Sequence, residues 1–92
     1  MAEIVIYTSS IGGSAVTLKT QRMQSIVQAH TKAEAKVVYI DLDGTPEMKN
    51  MIKEKAGKLG NWPLLFRGDK YIGNLEECVD LNEYEELKPL LI

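Results

Sequence analysis

Trp62-Pro63-Leu64-Leu65-Phe66-Arg67-Gly68-Asp69-Lys70-Tyr71-Ile72-Gly73-Asn74 is the stretch that decides the fold. Leu64-Leu65-Phe66 is a short apolar strand-forming run. Gly68-Asp69 is a tight-turn pair, and Lys70-Tyr71-Ile72 is a second β-prone run, so the stretch predicts an antiparallel hairpin. Gly73-Asn74 ends it. Leu75, Cys78, Val79 and Asn82 then recur at i, i+3, i+4 and i+7, which predicts a helix starting near Asn74. A short helix or tail with Leu87, Leu90 and Leu91 follows.

On the N-terminal side, Ile4-Val5-Ile6-Tyr7 is apolar on both faces and reads as a central strand covered on two sides. Thr8 to Ser14 is rich in serine and glycine and reads as a loop. From about Thr17 the period becomes helical, with Met23, Ile26, Val27 and His30 on one stripe. Val37-Val38-Tyr39-Ile40 reads as a second buried strand and Asp41 to Gly44 as a turn. Thr45-Pro46 is an N-cap followed by proline at the first helical position. Met48, Met51, Ile52, Ala56 and Leu59 give that helix its stripe, with Gly57 and Gly60 at its end. The order is β-α-β-α-β-β-α. Two strands joined through a helix pair in parallel, and the hairpin adds an antiparallel pair. The expected fold is an α/β thioredoxin-like arrangement of the glutaredoxin type: a mixed four-stranded sheet with helices on both faces, one domain over residues 1–92.

The bulk properties fit this reading. Ninety-two residues with 45% apolar content suffice for one small core, which buries about 60–65% of the unfolded surface. Eleven basic and 13 acidic residues leave a net charge of −2 with no long run of one sign, so nothing draws the chain to nucleic acid or an acidic membrane. No apolar run approaches the roughly 18 residues of a membrane span. The start, Met1-Ala2-Glu3, lacks the basic and apolar regions of a signal peptide. The lone cysteine, Cys78, excludes an internal disulfide. The expectation is a cytosolic protein, with the nucleus as a further location.

Three stretches carry a resemblance to a known family. They are Val5-Ile6-Tyr7-Thr8-Ser9-Ser10-Ile11-Gly12-Gly13-Ser14 with Lys19-Thr20-Gln21 after it, Trp62-Pro63-Leu64-Leu65-Phe66, and Gly68-Asp69-Lys70-Tyr71-Ile72-Gly73-Asn74. With the element order, the chain resembles the glutaredoxin-like branch of the thioredoxin fold, and more closely the Src-homology-3-binding glutamic-acid-rich-like protein family. Against the glutaredoxin pattern, the Cys-x-x-Cys positions read Gly12-Gly13-Ser14-Ala15. Disulfide exchange needs a thiolate at the helix N-terminus; glycine has no side chain to attack with, and a serine hydroxyl forms no disulfide. The cysteine that ligates an iron–sulfur cluster in some glutaredoxins is lost with it, so no cofactor is expected. The resembled family also lacks the cysteine pair. Its proline-rich stretch is absent here: Trp62-Pro63-Leu64 holds one proline and no PxxP ligand.

The resemblance places a vestigial groove at Ser10, Gly12, Gly13, Ser14, Trp62, Pro63, Gly73 and Asn74. It implies that Pro63 is the cis-proline of the fold. Trp62, the only tryptophan, is either an exposed binding anchor or a half-covered lid on the sheet end. Gly73-Asn74 with Glu76 matches the glutaredoxin segment that holds the γ-glutamyl carboxylate of glutathione at a helix N-terminus. Glu76 and Glu77 already put negative charge there, and ordinary capping by Asn74 is the stronger reading. Ser9, Ser10 and Ser14 with the two glycines resemble a phosphate-cradling loop but complete no phosphate motif; a flexible loop is the stronger reading. Cys78 lies on an apolar stripe among acids, which makes it a buried, unreactive thiol. His30, the only histidine, reads as a surface helix-capping residue, and no metal constellation exists. Met48 and Met51 are core residues, and Glu83, Glu85 and Glu86 a solvated acidic face.

The leading expectation is a non-catalytic module that binds an unidentified protein partner through the groove. The second is a glutathione-dependent protein in which Ser10 or Ser14 positions the thiol of bound glutathione. The third is a structural subunit that pairs through the exposed sheet edge at Lys70–Ile72.

Overall fold

The computed structural model describes residues 3–31, 35–57 and 60–91. Its order is β1 (Ile4–Thr8), α1 (Gly13–His30), β2 (Lys36–Tyr39), α2 (Ile40–Asp43), α3 (Pro46–Ala56), β3 (Leu64–Arg67), β4 (Lys70–Asn74), α4 (Leu75–Glu83) and α5 (Lys88–Leu91). Leu59, the last residue of the expected stripe on α3, lies outside the described residues, as do Met1 and Ala2.

The four strands form one mixed sheet in the order β2-β1-β3-β4. β1 is parallel to β2, with Ile6 opposite Val37, and antiparallel to β3, with Ile6 opposite Leu65. The expected hairpin is β3–β4, carrying one extra residue on β4, since Leu65 pairs with Gly73 but Phe66 with Tyr71. That bulge changes which face the strand presents. Tyr71 joins the core on the α3 side and Ile72 the core on the α1 side.

Alternation along β1 splits the core in two. Ile4 and Ile6, with Leu65, meet Met23 and Val27 of α1, Cys78 of α4, and Leu87 and Leu91. Val5 and Tyr7, with Leu64 and Phe66, meet Ile52 of α3. Every residue of β1 is buried, as a doubly covered central strand requires.

Local chemistry sets the ends of the helices. The Thr45 hydroxyl accepts the Met48 N–H and Pro46 occupies the first helical position of α3. Gly57 closes that helix in the left-handed region.

Three expectations are corrected. α1 begins at Gly13 rather than about Thr17, so Gly13 and Ser14 are helical and not loop. Gly12 alone supplies the entry conformation, and no side-chain cap marks it in sequence. β2 ends at Tyr39, with Ile40 starting a one-turn helix where a plain turn was expected. β2 is also an edge strand, so Lys36 and Tyr39 are exposed and only Val38 is fully buried.

Candidate functional site

The ends of the parallel pair bring the loop and α2 together. Thr8 lies opposite Tyr39, so the residues two positions beyond each, Ser10 and Asp41, become neighbours. The Ser10 N–H donates to Asp41 Oδ1 at 2.8 Å, and the Ser10 hydroxyl donates to Asp41 Oδ2. The hydroxyl bond first, and the N–H bond second, hold the Asp41 carboxyl below its usual range. The Ile11 N–H donates to Ser9 Oγ at 3.1 Å. The loop expected to be flexible is thus fastened at both serines. Beneath it, the buried Thr8 hydroxyl contacts the Thr20 hydroxyl at 2.8 Å. Thr20 donates its own hydrogen to the Val16 carbonyl at 2.8 Å, so Thr8 is the donor of the pair.

Gly12 caps α1 with φ of 124°. A Cβ there would lie 2.7 Å from Cγ2 of Val16. The position thus disfavours a side chain both by backbone region and by crowding against Val16. Gly13, Ser14 and Ala15 follow in the exposed first turn of α1.

At the other end of the expected groove, the Trp62–Pro63 peptide bond is cis. Pro63 is fully buried. Trp62 is half-buried and packs against the core on the α3 side, as the half-covered reading has it. Trp62 lines a cavity of about 100 Å³ with Asn61, Asn74, Leu75 and Glu76. Ser10, Gly12, Gly13 and Ser14 do not line that cavity. A second hollow of about 110 Å³ lies by Ser9, Thr17, Thr20, Gln21, Gln24 and Tyr39.

The N-terminus of α4 is closed on itself. Asn74 Oδ1 accepts the Glu77 N–H at 2.9 Å, and Glu77 Oε1 accepts the Asn74 N–H at 3.2 Å. This capping box is extended by Tyr71, whose hydroxyl donates to the same Glu77 oxygen at 2.8 Å. Burial, and then the Glu77 bond and charge, push the Tyr71 hydroxyl above its usual range. A Cβ on Gly73 would lie 2.8 Å from Glu77 Cβ, so the close approach of Glu77 depends on glycine there. Capping by Asn74 with an acidic first turn is as expected, and Glu77 is its partner in the box.

Cys78 is buried, its thiol 3.7 Å from the Gly73 carbonyl oxygen. Burial, and then the Glu77 charge, push the thiol up to about 12. His30 is half-buried and hydrogen-bonds the Asn82 side chain. It joins α1 to α4 instead of standing at the surface, which corrects the expectation. Glu83, Glu85 and Glu86 are exposed, and β4 forms a sheet edge. Among the described residues no group of His, Cys, Asp or Glu is arranged to hold a metal, and no helix is long and apolar enough to cross a membrane.

Asp41, Thr8 with Thr20, and the Tyr71–Glu77 pair escaped the sequence reading. Asp41 alone had a legible signal, since it follows a strand predicted to run parallel to the one before Ser9.

The sheet order, the proline at the head of β3 and the capped α4 define a thioredoxin-like domain of the glutaredoxin type. No family model matches the chain, and no curated protein sequence matches it. Among solved structures, the actin interacting protein Aip5 of C. albicans is 32% identical, with 98% of this chain and 88% of that chain covered and a TM-score of 0.83. A second structure, the wild-type actin interacting protein 5, is 27% identical over 99% of this chain and 93% of that one, TM-score 0.75. The holo form of glutaredoxin C1 from Populus tremula x tremuloides is 26% identical over 98% and 83%, TM-score 0.67. The chain belongs to the glutaredoxin-like thioredoxin-fold family. With a single cysteine it has no Cys-x-x-Cys motif.

Proposed function

We propose that this chain is a non-catalytic binding or adaptor module that holds a protein partner on a glutaredoxin-like scaffold, in the manner of the Src-homology-3-binding glutamic-acid-rich-like proteins it resembles, within the reducing cytosol. The observation that carries this reading is Gly12. The helix mouth where disulfide exchange would need a thiolate holds a glycine, at a φ that strains any other residue and with Val16 crowding the Cβ position. The likeness to two proteins described as actin-interacting supports protein binding as the retained activity.

In this reading Ser10, Gly12, Gly13, Ser14, Trp62, Pro63, Gly73 and Asn74 form the partner surface, with Trp62 as its aromatic anchor. Two contacts oppose the alternative of a serine-based glutathione enzyme. The Ser10 hydroxyl hydrogen is given to Asp41, and the Asn74 and Glu77 N–H groups that would face a ligand carboxylate are taken by the capping box.

A mixed-disulfide reductase assay with glutathione, run beside a pull-down with wild-type and Trp62→Ala protein, tests the proposal. Turnover of the disulfide overturns it. Absence of turnover together with a partner retained by the wild type and lost by Trp62→Ala supports it; equal retention by both removes the groove as the binding surface.

A further inference from the structure

We propose that Ile11 and Leu42, each next in the chain to one partner of the Ser10–Asp41 bonds, form a docking surface for a basic, apolar segment of a protein partner. This rests on the protein-binding reading above and adds a surface apart from the Trp62 end of the groove, with the partner's chemistry.

Ile11 is 73% exposed and Leu42 68% exposed. Such exposure of single aliphatic residues is ordinary, but these two lie on segments that are joined to each other. Ile11 follows Ser10 in the chain and Leu42 follows Asp41, and Ser10 and Asp41 are joined by two hydrogen bonds. The Ile11 N–H is also held by Ser9 Oγ. An exposed apolar side chain on a backbone fixed from both sides loses little freedom on binding, which is how rigid anchors gain affinity. Tyr39, 38% exposed, is the N-cap residue of α2 at the end of β2. None of these residues lines the Trp62 cavity.

Charge selects the occupant. Leu42 sits between Asp41 and Asp43, and α2, Ile40–Asp43, has no basic residue. Neither aspartate makes an ion pair among the described residues. A partner that lays leucine- or valine-like side chains across Ile11 and Leu42, with lysine or arginine on either side, meets both features. An anionic membrane would be repelled. A symmetric contact with a second copy would set each aspartate pair against its own counterpart.

The test is a titration followed by amide NMR of the full chain, with two defined probes: the blocked peptide Lys-Leu-Lys-Leu-Lys and its counterpart Glu-Leu-Glu-Leu-Glu. The expected result is saturable shifts confined to residues 9–12 and 39–44 with the basic peptide only. Ile11→Ser and Leu42→Ser should each weaken binding about tenfold, as anchor truncations do. Asp43→Asn should weaken it less, and 0.5 M salt should remove that difference by screening. Both leucine and isoleucine positions are exposed, so these variants keep the fold. No shift at millimolar peptide, equal shifts with the acidic peptide, or shifts centred on residues 61–62 and 74–76 overturns the inference. The last outcome does so while leaving the protein-binding reading intact.

Discussion

A Cβ on Gly12 would sit 2.7 Å from Cγ2 of Val16. Restoring the cysteines of the redox relatives by substitution therefore meets an obstacle in the backbone itself. The Gly12→Cys, Ala15→Cys double variant should lose about 1–2 kcal/mol from the left-handed entry residue, with overpacking against Val16 in addition. For a domain of this size that lowers Tm by roughly 4–8 °C per kcal/mol. Adding Val16→Ala should recover the part due to crowding but not the part due to φ. Thermal denaturation of the reduced proteins measures both; an unchanged Tm in the double variant contradicts the account.

Thr8 and Thr20 share one hydroxyl chain whose direction is fixed, from Thr8 to Thr20 to the Val16 carbonyl. Thr20→Val removes the acceptor of the buried Thr8 hydroxyl and should cost about 1–3 kcal/mol. Thr8→Val leaves Thr20 its bond to Val16 and should cost less. The double variant should be closer to the wild type than the two single costs summed. Chemical denaturation of the four proteins closes the cycle, and a cost for Thr8→Val equal to or above that for Thr20→Val contradicts the assigned direction.

The Asp41 carboxyl is held low by the Ser10 hydroxyl and then by its N–H. A carboxyl with a depressed folded value adds stability that is fully present above its unfolded value, about 3.9. That stability is lost as pH falls through the folded value. Ser10→Ala should raise the Asp41 titration midpoint toward 3.9, and the pH dependence of stability below pH 4 should flatten. Carboxyl-carbon NMR across pH 2–6 reads the midpoint; a midpoint indifferent to Ser10→Ala refutes the fastening of the loop.

Glu77 accepts from Asn74 and from Tyr71 through one oxygen. Glu77→Ala should cost about 1 kcal/mol as a lost capping partner. It should also lower the Tyr71 midpoint without returning it to the ordinary value of about 10, because burial is the larger cause of its elevation. In the wild type, where the folded Tyr71 value is raised, stability should fall as pH rises above about 10. Ultraviolet titration of tyrosinate follows both, and a Tyr71 midpoint unchanged by Glu77→Ala contradicts the contact.

Much of the fold was legible because its signals were local. Ile4-Val5-Ile6-Tyr7 announces a central strand by being apolar on both faces, Thr45-Pro46 marks a helix start, and Gly68-Asp69 a hairpin. The edge position of β2 was not, because Val37-Val38-Tyr39-Ile40 has the composition of a buried strand and edge status depends on which neighbour β1 takes. The start of α1 was hidden because Gly12 caps it without a side-chain acceptor. At the site, the Asn74 cap could be read from one segment. The Ser10–Asp41 bonds join positions 31 residues apart, and no periodicity reports a contact that parallel pairing alone creates.

Cys78 is the one sulfhydryl in the chain, shielded on the buried face of α4 and kept protonated at neutral pH. An alkylating reagent can therefore reach it only when the domain opens. Its labelling rate is a built-in clock for that opening, and a cysteine introduced on the surface for a dye or crosslinker will react alone, with the native one left in place.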